Sequence, residues 1–324
     1  MLPDSPVICL AHPVYRLMDA YEGLEESRRP KGAVVIRETT REGVAARIGE
    51  IDILVASLLW DNAFLPRAGR LRLVQSVSAG INQFDLAAFG THGVHLASAQ
   101  GANEQAVSEH ALAMILALAR RLPEARDNQA KRFWRPYQGD HSLREDVIGG
   151  KTLAVVGLGR IGGRIARLAK AFGMHVIGLR RDPSAGAGDA DEVVAVTDLH
   201  ACLARADYVV LTCPLTPETR GLLDARALAA MKPGAALVNV ARGGCVVEAD
   251  LVAALRSGRL GAAALDVTAE EPLPASSPLW EMPNVLITPH AAGETRTYEA
   301  SVIELLVENV ARLRRGERLV NQIV

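Results

Sequence analysis

The sequence predicts an α/β protein made of two Rossmann-like, doubly wound parallel-sheet domains, with the cofactor domain inserted into the substrate domain. Three observations carry that reading. Strand-like and helix-like stretches alternate along most of the 324 residues, a length that suits about two domains. A glycine fingerprint, Gly157-Leu-Gly159-Arg-Ile-Gly162, follows the apolar run Thr152–Val156 and precedes Ile161, Ile165, Leu168 and Phe172 at helical spacing. About 150 residues stand before it and alternate in the same way without a fingerprint of their own.

In order along the chain, strands are expected at Val7–Leu10, Ala33–Ile36, Ile53–Ala56, Leu73–Val77 and Val94–Ala97, with short helices such as Thr40–Gly49 and Asp85–Phe89 between them. Asn103 is placed to cap a helix over Glu104–Arg121, and Pro123 lies just beyond its end. Asp127–Val147 is polar and irregular and carries Phe133, Trp134 and Tyr137, so residues 123–148 read as an arm. The fingerprint domain then spans residues 103–293. In Glu294–Arg315, Val302, Leu305, Leu306, Val310 and Leu313 mark an amphipathic helix capped by Gly316. With residues 1–102, the stretch 294–324 completes the substrate domain.

The bulk numbers exclude several classes of function. Apolar residues make up 49% and charged residues 23%, and the net charge of −1 gives no general pull toward nucleic acid or membrane. The longest apolar stretch, Ala111–Ala119, falls short of the ~20 residues that span a bilayer and reads as a helix buried on most sides. The N-terminus has no basic region, and its apolar run Val7–Leu10 is too short for a signal peptide. Cys9, Cys202, Cys213 and Cys245 form no C-x-x-C and no metal-ligand cluster, so reduced thiols in a cytoplasmic protein without metal are expected.

Each fingerprint glycine has a physical task. Gly157 permits the turn, Gly159 lets the backbone approach a pyrophosphate, and Gly162 lets the helix pack on the strand. The N–H groups at the helix start, around Leu158, Arg160 and Ile161, then face the phosphates. The next strand, His175–Leu179, is followed by Arg180 and Arg181, where an NAD enzyme carries an acid for the ribose 2′-hydroxyl. An arginine fork matches a phosphate, so NADP is preferred and NAD stays possible; two solvated loop charges are the alternative. The stripe Arg160, Arg164, Arg167 and Lys170 lies opposite the apolar face of its helix and is expected to face water, with Arg160 beside the phosphates.

Three later segments each place a charged or titratable residue at or just after a short apolar strand: Leu237-Val-Asn-Val-Ala-Arg242, Leu265-Asp266-Val-Thr-Ala-Glu-Glu271-Pro272 and Val285-Leu-Ile-Thr-Pro-His290. In an open parallel sheet such ends form the ligand crevice. Arginine, carboxylate and imidazole together suit hydride transfer to a 2-oxo acid. The arginine pairs with the substrate carboxylate and polarises the ketone. The carboxylate orients the imidazole and favours its protonated form. The imidazole donates to the carbonyl oxygen.

These pieces resemble the D-isomer-specific 2-hydroxyacid dehydrogenase family over nearly the whole length, most strongly from Gly150 to Gly293. The resemblance rests on Val156-Gly-Leu-Gly-Arg-Ile-Gly162, Cys213-Pro-Leu-Thr-Pro-Glu-Thr219, Met231-Lys-Pro-Gly-Ala, Asn239-Val-Ala-Arg-Gly243, the Asp266 to Pro272 stretch and Thr288-Pro-His290. It implies that Arg242 binds and polarises substrate, that Glu271 supports the imidazole, and that His290 is the general acid/base. It further implies that Cys213, Pro214, Thr219, Val240, Ala241, Arg242, Asp266, His290, Ala291 and Gly293 line the cofactor. The helix from Glu104 and the arm after it would make dimer contacts, giving a homodimer. By the same resemblance, the loop with Ser78, Ala79 and Gly80 would hold the substrate carboxylate on its amides, an ordinary glycine turn being the alternative. Leu58, Leu59 and Trp60 would set pocket shape or else pack in the core. Trp134 would reach the partner's active site, as in glyoxylate and hydroxypyruvate reductases, or be buried in the dimer interface.

The arginine pair departs from the NAD-using majority and is shared with NADP-using glyoxylate and hydroxypyruvate reductases. The expected activity is therefore NADPH-dependent reduction of a small 2-oxo acid to a D-2-hydroxy acid, with the domains closing on a cleft. A formate-type or phosphoglycerate-type dehydrogenase is the nearest alternative, the latter weakened by the lack of a C-terminal regulatory extension. A dinucleotide-sensing, corepressor-like binding protein on the same fold is the rival from another class.

Overall fold

Five short strands, β1 (Val7–Ala11), β2 (Val34–Glu38), β3 (Ile53–Val55), β4 (Leu73–Gln75) and β5 (His95–Ala97), make an all-parallel sheet in the order β2-β1-β3-β4-β5. Ile8, Leu10, Ile53, Leu54 and Val55 are buried on both faces, which is why these strands read as unbroken apolar runs. The helices α1 (Leu17–Glu22), α2 (Arg41–Arg47) and α3 (Leu86–His92) lie between them. Thr40 and Asp85 start α2 and α3 by accepting from first-turn amides. β4 stops two residues before the apolar pattern does, because Val77 and Ser78 donate their amides to the Ser57 hydroxyl at 2.9 and 3.0 Å instead.

The second sheet has seven parallel strands: β6 (Thr152–Val156), β7 (His175–Arg180), β8 (Glu192–Ala195), β9 (Tyr208–Leu211), β10 (Ala236–Asn239), β11 (Ala262–Leu265) and β12 (Val285–Ile287). Their order is β12-β11-β10-β9-β6-β7-β8, so the winding reverses between β6 and β9 and opens a crevice at the carboxyl ends there. Six helices accompany it: α4 (Glu104–Ala119), α5 (Leu122–Ala130), α6 (Arg160–Ala171), α7 (Leu199–Leu203), α8 (Ala225–Ala230) and α9 (Glu248–Arg256).

This computed structural model describes residues 2–324. It divides into Met1–Asn103 with Glu294–Val324, and Glu104–Gly293. The last helix, α10 (Tyr298–Arg315), belongs to the first of these units and buries Val302, Ile303, Leu306 and Val310 there. Gly316 caps it in the left-handed conformation at φ +68°. Among the described residues no helix is long and apolar enough to cross a membrane.

Several local expectations need correction. α4 ends at Ala119, Arg121 takes φ +50°, and Pro123 sits in the first turn of α5, where its missing N–H costs nothing. The arm therefore begins as a helix and is irregular only after it. Asn103 does not cap α4, since its buried Oδ1 has no hydrogen-bond partner among the described residues. α10 starts at Tyr298 rather than Glu294. Arg164 does not face water freely: α6 packs on α4, and the guanidinium is half-buried 3.6 Å from Glu109.

The glycine turn between β6 and α6 separates two kinds of glycine. At Gly157, φ is +105° and a Cβ would stand 2.7 Å from the Cys213 amide nitrogen. At Gly162 a Cβ would meet the Gly157 carbonyl oxygen at 2.3 Å. At Gly159 a Cβ would meet nothing within 4 Å. The chain itself requires the first and third glycines, whereas the second leaves open space for a ligand. Gly162→Val should then cost about 1–3 kcal/mol through overpacking and lower Tm by several degrees. Gly159→Ala should leave Tm within about 1 °C. Equal losses in thermal unfolding would contradict this division.

Candidate active site

β10 ends at Asn239, which is buried and shapes the turn that follows. Its Oδ1 accepts from the Ala241 amide at 3.0 Å and its Nδ2 donates to the Arg242 carbonyl at 3.1 Å. Arg242 is half-buried, and one guanidinium nitrogen donates to the Ala241 carbonyl at 2.6 Å. The next residue, Gly243, lies so close to the loop after β11 that a Cβ would stand 1.8 Å from the Thr268 carbonyl oxygen. Thr268 in turn donates its amide to Glu271 Oε1 at 3.1 Å. Glu271 Oε2 is 2.7 Å from His290 Nδ1. Adjacent parallel strand ends thus place the arginine turn against the loop of the carboxylate, and the carboxylate against the imidazole.

Bonding of Nδ1 to a carboxylate fixes the ring and leaves Nε2 as the atom free for substrate. Glu271 and His290, with Leu273, Trp280 and Ile287, line a cavity of about 630 Å³. His290 itself stands at φ +53°, held there by its amide, which donates to the carbonyls of Asp266 at 2.8 Å and Thr288 at 3.0 Å.

Asp266 is 2% exposed, and its carboxylate is directed at its own chain. Oδ1 accepts from Thr288 Oγ1 at 2.6 Å, the Ala291 amide at 2.9 Å and the Ala292 amide at 3.2 Å, and Oδ2 accepts from the Ala292 amide at 3.1 Å. The residue expected to contact the nicotinamide end therefore spends most of its acceptor capacity fixing the loop that carries His290 and Ala291 toward Gly293.

On the cofactor side, the open space at Gly159 lies at the start of α6, where helix amides take up a pyrophosphate in folds of this kind. Ile161 lies in this turn, beside Arg160. Leu158 is part of the frame of this turn. Its amide donates to Leu179 O at 2.9 Å and its side chain is buried over Gly178, so it sets loop shape. Cys213 packs on Gly157 with its thiol held well above the usual range by a hydrogen bond with Cys245 and by burial. Thr219 Oγ1 donates to Pro214 O at 2.6 Å and accepts from the Thr216 amide at 2.7 Å, tying the loop after β9 together. Val240 and Ala241 are buried where β10 ends.

At the end of β7, Arg180 Nη1 donates to the carbonyls of Ala185 at 3.3 Å and Gly186 at 2.9 Å, while Arg181 is exposed. The nearby acid, Asp182, is committed to Ser184, and the Ser184 hydroxyl and amide hold its carboxyl below the usual range.

In the first unit, Ser57 takes up the amides of Val77 and Ser78, and its hydroxyl lies 2.9 Å from that of Ser76 and 3.1 Å from that of Ser78. Among the described residues no hydrogen bond is made by the amides of Ala79 and Gly80. Leu59 needs correction: it is 8% exposed in the core, as is Trp60 at 4%, and Leu58 at 65% is the outward residue. Sequence reasoning missed Ser57, His110 and Thr288, and gave no task to Asn239. A lone polar residue at the end of an apolar strand was the available signal for Asn239; His110, next to Ser108 and Glu109 in the polar first half of α4, offered none.

Comparison with known proteins gives this geometry a family. The model of the D-isomer specific 2-hydroxyacid dehydrogenase NAD binding domain matches residues 112–292. D-3-phosphoglycerate dehydrogenase of Methanocaldococcus jannaschii is 32% identical over 308 residues, which is 94% of this chain and 57% of that protein. The chain spans little more than half the length of that and similar phosphoglycerate dehydrogenases. Glyoxylate reductase of Korarchaeum cryptofilum is 33% identical over 297 residues, covering 88% of this chain and 87% of that protein. A D-isomer specific 2-hydroxyacid dehydrogenase from Xanthobacter autotrophicus, solved with NADPH and MES, is 30% identical with a TM-score of 0.81, covering 99% and 98% of the two chains. With its two parallel α/β sheets and its matched NAD binding domain, the chain belongs to the D-isomer specific 2-hydroxyacid dehydrogenase family of oxidoreductases.

Proposed function

We propose that this protein is an NADPH-preferring reductase of small 2-oxo acids, of the glyoxylate or hydroxypyruvate kind, that makes D-2-hydroxy acids. The observation that carries the reading is the 2.7 Å contact between His290 and Glu271 at the carboxyl end of the nucleotide-binding sheet. NADPH, when bound, supplies the hydride. Arg242 pairs with the substrate carboxylate and draws electron density from the ketone. His290 gives a proton from Nε2 to the carbonyl oxygen, while Glu271 keeps the ring oriented and offsets the charge of the imidazolium. Cys213, Pro214, Thr219, Val240, Ala241, Ala291 and Gly293 supply the cofactor's surroundings.

Preference for NADPH rests on Arg180 and Arg181 standing where an acid would select NAD, with Asp182 already engaged by Ser184. The NADPH-bound relative from Xanthobacter autotrophicus supports it. The phosphoglycerate dehydrogenases among the relatives favour a second reading, reduction of 3-phosphohydroxypyruvate. We assign the arm, with Trp134 94% exposed, to contacts of a homodimer, and the four unpaired cysteines to a reducing, cytoplasmic setting.

NADPH and NADH oxidation against a panel from glyoxylate and hydroxypyruvate to 3-phosphohydroxypyruvate and phenylpyruvate separates these readings. The first expects small acids with NADPH to give the highest kcat/KM; a preference for the phosphorylated acid would overturn it. His290→Ala should slow single-turnover hydride transfer at least about 100-fold with nucleotide affinity within about twofold. Hydride transfer at the wild-type rate would remove His290 from the mechanism. Arg180→Asp should lower the ratio of NADPH to NADH efficiency at least about tenfold. An unmoved ratio would show that Arg180 does not read the 2′-phosphate.

A further inference from the structure

One polar cluster lies beneath the site and has no task in the mechanism above. His110 stands in helix α4, just before its apolar run Ala111–Ala119, with its Nε2 3.0 Å from Thr288 Oγ1. Thr288 Oγ1 is 2.6 Å from Asp266 Oδ1, the oxygen that also receives the Ala291 and Ala292 amides. A hydroxyl has one hydrogen, and here it goes to the carboxylate. The Thr288 oxygen must then accept from His110, which fixes the proton on Nε2. His110 Nε2 is 3.7 Å from Asp266 Oδ1, beyond hydrogen-bond reach, so the coupling passes through the threonine.

The direction of this chain of bonds matters. Residues 288–292 carry His290 in a left-handed backbone conformation that a side-chain-bearing residue rarely adopts. The Asp266 carbonyl and carboxylate hold that conformation by taking the amides of His290, Ala291 and Ala292. Thr288 begins the segment, and His110 is what orients its hydroxyl. We infer that His110 is a positioning residue for His290: it acts through Thr288 and Asp266 to keep the imidazole in register with Glu271. This rests on the acid/base role proposed for His290.

The test uses the full chain with NADPH and whichever 2-oxo acid of the panel it reduces fastest. His110→Ala should slow single-turnover hydride transfer about tenfold or more, with KM and NADPH affinity within about threefold, because geometry and not binding is lost. His110→Gln, which keeps an N–H donor at a similar reach, should recover most of the rate. Thr288→Val, a nearly isosteric change, should reproduce the loss, and adding His110→Ala to it should cost little more, since both cut one chain of bonds. Wild-type hydride transfer in both His110→Ala and Thr288→Val, with His290→Ala inactive, would overturn the inference and leave the acid/base reading intact. So would additive losses, or losses that glutamine does not rescue and that fall equally on nucleotide affinity. Wild-type hydride transfer in His290→Ala would instead bring down the underlying reading.

Discussion

The site depends on how one buried carboxylate is satisfied. A carboxylate out of water is costly unless hydrogen bonds replace its hydration. Asp266 meets that demand with a hydroxyl and two backbone amides, all from the segment after β12. The stabilisation runs both ways. The segment supplies the donors that replace the carboxylate's hydration, and the carboxylate holds the segment in a shape that puts His290 at φ +53°, which costs about 1–2 kcal/mol for a residue other than glycine. With the backbone so placed, the imidazole reaches Glu271, and its second nitrogen is left for chemistry.

Parallel pairing explains why residues so far apart in sequence share one place. Strands β10, β11 and β12 are neighbours with matched register, about 4.8 Å apart, so whatever follows each one emerges at the same edge. Arg242 follows β10, Asp266 and Glu271 follow β11, and His290 follows β12. Gly243 closes the gap, because any side chain there would collide with Thr268. The first unit uses a similar device on a smaller scale: one hydroxyl, Ser57, folds the strand end after β4 and leaves the amides of Ala79 and Gly80 open.

Much of this was legible in the sequence because it obeys local rules. The glycine turn announces itself by spacing, the strands by apolar runs, and the titratable residues by standing just past those runs. What stayed hidden has physical causes. Leu58 and Leu59 differ by one position, and in the turn that follows β3, closed by the Trp60 amide on the Ser57 carbonyl, one position exchanges core for solvent. Leu158 belongs to the fingerprint, yet its role is packing over Gly178. Arg121 breaks the long helix by entering a left-handed conformation, and nothing in an arginine's propensity signals that. His110 and Thr288 are 178 residues apart, so no window of sequence could pair them. That Asp266 also holds its own chain was hidden, because a strand-end acid reads the same whether it faces a ligand, its own chain or both.

The account comes down to where the imidazole and the guanidinium stand when cofactor and substrate are bound. A crystal structure with NADPH and oxamate, an unreactive 2-oxo acid analogue, measures it directly. The account predicts His290 Nε2 at about 3 Å from the oxygen that mimics the ketone, with Nδ1 still on Glu271 and the Arg242 guanidinium on the carboxylate. A structure in which His290 points away from that oxygen, with another donor in its place, would contradict it.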